Sequence, residues 1–519
     1  MTTSRWSDRR RRQAAALLCT LVFASMLLQS SAARTPQRIE DLFRAGTAAF
    51  RAGRFADASA ALQRVVAAEP QNGPAHAALV RALLRQGRVA AAAASAERGI
   101  ALVAASGPLL AASGDVSVRQ GALSRAGQLY SYAAAADVSC ARAHLGLANL
   151  DLLERRNRSA KEHLERAHAL DPDDPEILLG WASTLASTRE RIAAAERYLA
   201  IGTNEDPDRL AAVRALRTTW MVLGEKPTNV VGAPDRRYAI GLREVITPEG
   251  PAHAYWLPVD INGRRLRLKL DTGAPGIVLK PGSARQARVQ RLADGWPVGG
   301  IGGAGTRRGF TGFAEQVKIG ELDVRNVVVR VLEPGDAALP DCDGLVGADV
   351  FDHFLVRLGF RDRLLELAPL EAGQTSIARD FWHVQRKARP GFTPVHVLGH
   401  LLLADASIDG RPGFLVAIDS GAFATVLSMS AAGKTSALGR PSVLVAGVFG
   451  QARDTLYTTR RLSLAFAGLS QSARFLTLDF DDQNSRAGTE IAGLVGLETL
   501  EAANTTIDYT NGLVQIVKR

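Results

Sequence analysis

The spacing of apolar positions changes character once along the chain. From about Gln37 to Gly224 the sequence is rich in Ala, Leu and Arg and almost free of β-branched runs, which favours helix. After Tyr238 it breaks into short Val/Ile/Leu runs punctuated by Gly, Pro and Asp-Gly turns, the pattern of an all-β region. Between the two, residues 225–237 hold Lys226-Pro227-Thr228-Asn229 and Gly232-Ala233-Pro234 and read as the domain linker. In the β half, Trp256–Ile261, a turn at Asn262-Gly263 and Arg264–Leu270 predict a hairpin. Leu401–Ile408, a turn at Asp409-Gly410 and Phe414–Ile418 predict a second one. Each hairpin runs directly into a carboxylate, Asp271 or Asp419.

The helical half repeats every 34 residues: Gly53, Gly87 and Gly121 share that spacing, as do Ala58, Ala92, Ala126, Ala160 and Ala194. Gly46, Gly53, Phe55, Ala58, Pro70 and Asn72 mark the first unit most fully, and this pattern resembles the tetratricopeptide repeat. Later units degenerate; the fourth has Arg155 where glycine is expected. About five units over residues 37–224 are expected. The resemblance implies a solenoid with a groove for a protein or peptide partner, the alternative being a rigid spacer.

The β half is an internal duplication. Asp271-Thr272-Gly273-Ala274 and Asp419-Ser420-Gly421-Ala422 are followed in step, with Gly299 and Gly302 after the first and Gly447 and Gly450 at the same offsets after the second. Gly344-Leu345-Val346-Gly347 and Gly493-Leu494-Val495-Gly496 come next. Phe360 and Tyr509 stand thirteen residues beyond each closing glycine. On these motifs, residues 236–519 resemble the retropepsin-like aspartic peptidases. The resemblance implies a first lobe over 238–370 and a second over 380–519, both in one chain, so that a monomer is plausible. Gly299, Gly300, Ile301, Gly302 and Gly303 look like that family's flap tip, with Gly447 and Gly450 in its counterpart. The fold expected is thus multidomain: an all-α, tetratricopeptide-like solenoid followed by an all-β, bilobal, pepsin-like acid-protease domain.

Two carboxylates are what amide hydrolysis without a metal or covalent nucleophile requires. One draws a proton from water while the other gives one to the carbonyl oxygen. Held close, they cannot both ionise, as in the aspartic proteases that serve as the standard illustration of this effect. Asp271 and Asp419 are the candidate catalytic residues. Thr272 and Ser420 are, by the resemblance, hydroxyls that lock the two loops together. Gly273 and Gly421 allow the tight turn and leave room for backbone N–H groups to face the carboxylates. A peptidase-like domain that only holds peptide is the rival reading.

Composition narrows the partners. Of 519 residues, 47% are hydrophobic and 22% charged, ordinary for globular protein. The net charge is +11; residues 1–33 hold five Arg and one Asp, and the remaining positive charge is scattered, so nucleic acid is not expected as a partner. Residues 1–33 read as a cleavable signal peptide, with Arg9–Arg12 as the basic region, Ala14–Leu28 the apolar run and Ser31-Ala32-Ala33 the cleavage site. A periplasmic or secreted protein without a stable membrane span is therefore expected. Cys140 and Cys342 remain after cleavage and are not expected to pair. No cofactor or metal motif is found; His396 and His400 have helical metal spacing but lie in loop and strand sequence.

Overall fold

A computed structural model describes residues 37–518 other than 104, 203, 246–253, 299–306, 334–341, 372–380, 383–385, 435–440, 443–444, 448–449 and 453–455. Residues 1–33, which the sequence suggests are a signal peptide, lie outside the described residues.

The helical region begins with ten helices that follow one another in pairs along the chain. These are 37–51 with Phe55–Ala68, Gly73–Arg85 with Val89–Leu102, Gly107–Arg119 with Leu123–Ala136, Ala141–Leu153 with Asn157–Leu170, and Pro175–Ala182 with Thr188–Ile201. A further helix, Pro207–Leu223, follows. The turn glycines Gly53, Gly87 and Gly121 sit at φ of +71°, +71° and +74°, a backbone region in which a Cβ is costly. Arg155 holds the same position in the fourth pair at φ +58°. Ala58, Ala92, Ala126 and Ala160 are completely buried, small because two helices cross over them. At Gly46 an added Cβ would lie 2.9 Å from Leu62 Cγ.

Two compact units divide the chain between Ser113 and Gly114, within one helix. In the second unit the later repeats and the β region are joined by hydrogen bonds. Thr489 Oγ1 donates to the Val118 carbonyl at 2.7 Å, Asn157 Nδ2 to the Phe381 carbonyl at 2.7 Å, and Trp382 Nε1 to the Ser183 carbonyl at 3.0 Å. Residues 225–237 are also tied down: Val230–Val231 pairs with Val324 and Arg325 as a short edge strand.

Among the described residues the β region holds two lobe sheets, a shared third and a separate two-stranded ribbon. In the first lobe Tyr255–Ile261 alternates buried and half-buried positions and turns back through Asn262 (φ +51°) and Gly263 (φ +82°) into Arg264–Leu270. The second lobe repeats this with Leu401–Ile408, Asp409 (φ +50°), Gly410 (φ +73°) and Arg411–Ile418. The last strand starts three residues before its apolar run, because Arg411 and Pro412 pair with Ile408 and Ser407 across a bulge. Gly344–Val346 lies parallel to Leu268–Leu270, and Gly493–Val495 lies parallel to Val416–Ile418 in the same register.

The shared sheet has six strands, with Phe354–Gly359 and Ala503–Asp508 antiparallel at its centre, Leu355 opposite Asp508 and Leu358 opposite Thr505. Each central strand leads to an aromatic residue, Phe360 or Tyr509, each 1% exposed. One apolar core runs through both lobes and this sheet, so burial that stabilises each lobe also fixes their mutual orientation.

Candidate active site

Asp271 and Asp419 lie one residue beyond equivalent strands, where the parallel partner strand ends. The Asp271 N–H donates to the Val346 carbonyl and the Asp419 N–H to the Val495 carbonyl, both at 3.0 Å. This matching register brings two residues almost 150 positions apart into contact. The Asp419 carboxyl lies against Gly273 and the Asp271 carboxyl against Gly421, so each sits over the loop of the other, close enough for Asp271 to act on the titration of Asp419. Each is also held from its own loop: Gly273 N–H donates to Asp271 Oδ1 at 2.9 Å, and Gly421 N–H to Asp419 Oδ1 at 2.8 Å.

The loops interlock through Thr272 and Ser420, 1% and 2% exposed. Thr272 Oγ1 donates to the Ile418 carbonyl at 2.9 Å and accepts from the Ser420 N–H at 2.8 Å. In return Ser420 Oγ accepts from the Thr272 N–H at 3.0 Å and donates to the Leu270 carbonyl at 3.4 Å. All four bonds cross between lobes.

Gly273 and Gly421 are glycines for a reason other than turn geometry, since neither has a positive φ. A Cβ on Gly273 would lie 2.6 Å from Asp419 Oδ1, and one on Gly421 would lie 2.3 Å from Asp271 Oδ1. Each glycine clears the space that the opposite carboxylate occupies. Beside the tight turn and the room for N–H groups facing the carboxylates that the sequence suggests, the cross-lobe approach is a further reason for glycine at both positions.

Burial and the neighbouring Asp271 carboxyl push the Asp419 carboxyl up to about 7, against its own-loop N–H donor and Lys269, which act the other way. The direction follows from physics: an anion beside a second carboxyl in a poorly solvated site is disfavoured. Asp271 is 5% exposed.

Sequence reasoning missed several supporting groups. The Asp349 carboxylate accepts from the Gly276 N–H at 2.9 and 3.0 Å and so anchors the far end of the first loop. Its place two residues after the closing Gly347 was the available signal, since Glu498 follows Gly496 at the same interval. His400 Nε2 meets the Gly273 carbonyl at 2.9 Å, and Lys269 Nζ meets the Gly421 carbonyl at 3.1 Å. His396 faces Asp405 at 3.4 Å, away from any shared site with His400.

Gly299, Gly300, Ile301, Gly302 and Gly303, expected from the sequence to form a flap tip, lie outside the described residues. The strands leading to and from them, Gln290–Val298 and Arg307–Ile319, pair antiparallel with Val298 opposite Arg307. In the second copy Gly447 and Gly450 pair directly, between the short strands Val445–Gly447 and Gly450–Ala452. Among the described residues no three His, Cys, Asp or Glu side chains gather closely enough to hold a metal ion. Cys140 and Cys342 are both free.

Known proteins were compared at three levels. Residues 257–353 match the family model described as "gag-polyprotein putative aspartyl protease", and residues 49–112 and 151–219 match the tetratricopeptide repeat. The first match spans Asp271 and most of its lobe; Asp419 lies beyond it. No curated protein matches the chain. Among solved structures, the aspartic proteinase from Irpex lacteus is similar at 12% identity, over 55% of this chain and 97% of its own, with a TM-score of 0.35. Pseudomonas aeruginosa pilF is similar at 17% identity, over 36% of this chain and 86% of its own, with a TM-score of 0.26. The chain joins tetratricopeptide-like helical repeats to a bilobal β region whose first lobe matches the aspartyl-protease family model over residues 257–353.

Proposed function

We propose that the protein is an exported aspartic endopeptidase, periplasmic or secreted, in which Asp271 and Asp419 activate a water molecule against a peptide bond. The observation that carries this reading is the pair of carboxyls brought together across the lobes, each fastened by its own loop and seated over the opposite glycine. With one proton between them, the ionised member accepts a proton from water as its oxygen attacks the carbonyl carbon. The protonated member donates to the carbonyl oxygen. Collapse of the tetrahedral adduct passes a proton to the departing amine and returns the pair to one proton. The Thr272–Ser420 interlock keeps both acids at one water's reach, a positioning effect of the kind that dominates such reactions.

In this reading the loop at Gly299–Gly303 and the hairpin at Gly447 and Gly450 close over an extended substrate, pairing with its backbone. The repeats recruit or present the protein substrate. Cleavage of an unstructured protein at mildly acidic pH tests the proposal, with Asp271→Asn and Asp419→Asn measured separately. Loss of cleavage in both folded variants supports it. An inactive parent across the whole pH range favours a domain that only holds peptide.

A further inference from the structure

The two strands that deliver the carboxylates differ at one telling position. Two residues before Asp271 stands Lys269; two residues before Asp419 stands Ala417. Ala417 is 1% exposed, whereas Lys269 is half-buried and reaches across to the carbonyl of Gly421 in the opposite loop. The carbonyl of Gly273 is met in turn by His400, from the second lobe. A carbonyl oxygen only accepts, so His400 Nε2 carries the proton there. Each loop's glycine carbonyl is thus capped by a basic side chain of the opposite lobe, outside the Thr272–Ser420 interlock.

The caps are unequal in charge. Burial, with Arg330 beside it, presses the His400 imidazole down to about 4, so it is a neutral donor over most of the pH range. Lys269 brings an ammonium that acts on Asp419 against burial and against Asp271. Among the described residues, other charged or titratable groups near the pair are Tyr509, which acts with Asp271 from the shared sheet, and Asp349 with Arg330 beside the first loop.

We propose that Lys269 and His400 form a second cross-lobe clamp on the two loops, and that the ammonium of Lys269, without counterpart in the second strand, sets how readily the carboxyl pair gives up its shared proton. Lys269 and His400 are positioning residues in this scheme, and the inference rests on the dyad reading given above.

Carbon NMR of protein labelled at the aspartate carboxyls tests it, the pair's signals being those lost in the Asp271→Asn and Asp419→Asn variants. Lys269→Met keeps the aliphatic stem and removes the charge; it raises the upper apparent pKa of the pair by about one unit. Lys269→Arg restores the parent value. His400→Gln retains an N–H donor without a titrating group and leaves that value in place. An unmoved pKa in Lys269→Met overturns the inference, as does an equal shift in His400→Gln. The titration needs no turnover. A shift in a protein that cleaves no peptide keeps the charge effect and removes the peptidase reading, whereas peptide cleavage with no shift removes this inference alone.

Discussion

Substituting Gly421 by Ala tests the cross-lobe approach with a single methyl group. The new Cβ would stand 2.3 Å from Asp271 Oδ1, 2.4 Å from its Cγ and 2.5 Å from Oδ2. Ordinary contact begins near 3.4 Å, so something must move by about 1 Å, and a misplacement of that size at a reacting centre costs roughly 100-fold in rate. The Asp271 carboxylate cannot swing aside freely, because it is buried and held by the Gly273 N–H at 2.9 Å. Overpacking of this kind costs about 1–3 kcal/mol of stability, leaving the fold intact. Gly433, in the helix Met429–Lys434, has no positive φ and nothing within 4 Å of an added Cβ. Gly433→Ala is therefore the control: it leaves kcat unchanged and, by replacing a helical glycine, does not lower the melting temperature. The assay is kcat on a short unstructured peptide, read beside the thermal melt of each variant. Gly421→Ala with parental kcat and melting temperature would refute the steric account, since no backbone strain is available to explain it away.

Four further outcomes follow from the structure. Thr272→Val and Ser420→Ala each strand buried backbone groups and lower stability by about 1–3 kcal/mol; the double variant loses less than the sum in chemical denaturation, because the two residues share bonds. Asp419 binds its proton more tightly folded than unfolded, so stability falls as pH rises from about 4 to about 7. Asp352, pushed to about 7 by burial and by Asp349, adds to the same slope. Asp419→Asn flattens that pH dependence by roughly 2–4 kcal/mol, and an unchanged slope counts against a raised carboxyl. Peptide cleavage by the parent falls as pH climbs through about 7. Deleting residues 37–223 lowers the melting temperature of the β region by about 5 °C or more, since the bonds from Val118, Asn157 and Ser183 are lost; an unchanged melt would make the later repeats mere neighbours.

Much of the architecture was legible because duplication and repetition leave regular spacing. The turns at Asn262-Gly263 and Asp409-Gly410 were readable from residue type, since both positions take positive φ. Phe360 and Tyr509 stood out by equal offsets alone, and they end the two central strands of the shared sheet. Arg155 shows where spacing misleads. It breaks the glycine pattern yet keeps the left-handed backbone, because its side chain packs toward the β region. There its guanidinium lies 5.8 Å from the Phe381 ring centre, and its Cγ would be 3.2 Å from a Cβ on Gly512. A tertiary contact replaced the local preference, and one sequence cannot reveal it. Lys269 and His400 were hidden for a related reason: each acts on a backbone carbonyl well over a hundred residues away, a partner that leaves no mark in residue type.

Binding of a peptide mimic with a central hydroxyl in place of the scissile bond addresses the dyad most directly. Calorimetry on the parent at mildly acidic pH should show tight binding, because the hydroxyl takes the place of the attacking water between Asp271 and Asp419. Asp271→Asn and Asp419→Asn should each weaken it by roughly 100-fold or more. Equal affinity in either folded variant would mean that the two carboxyls do not work as one.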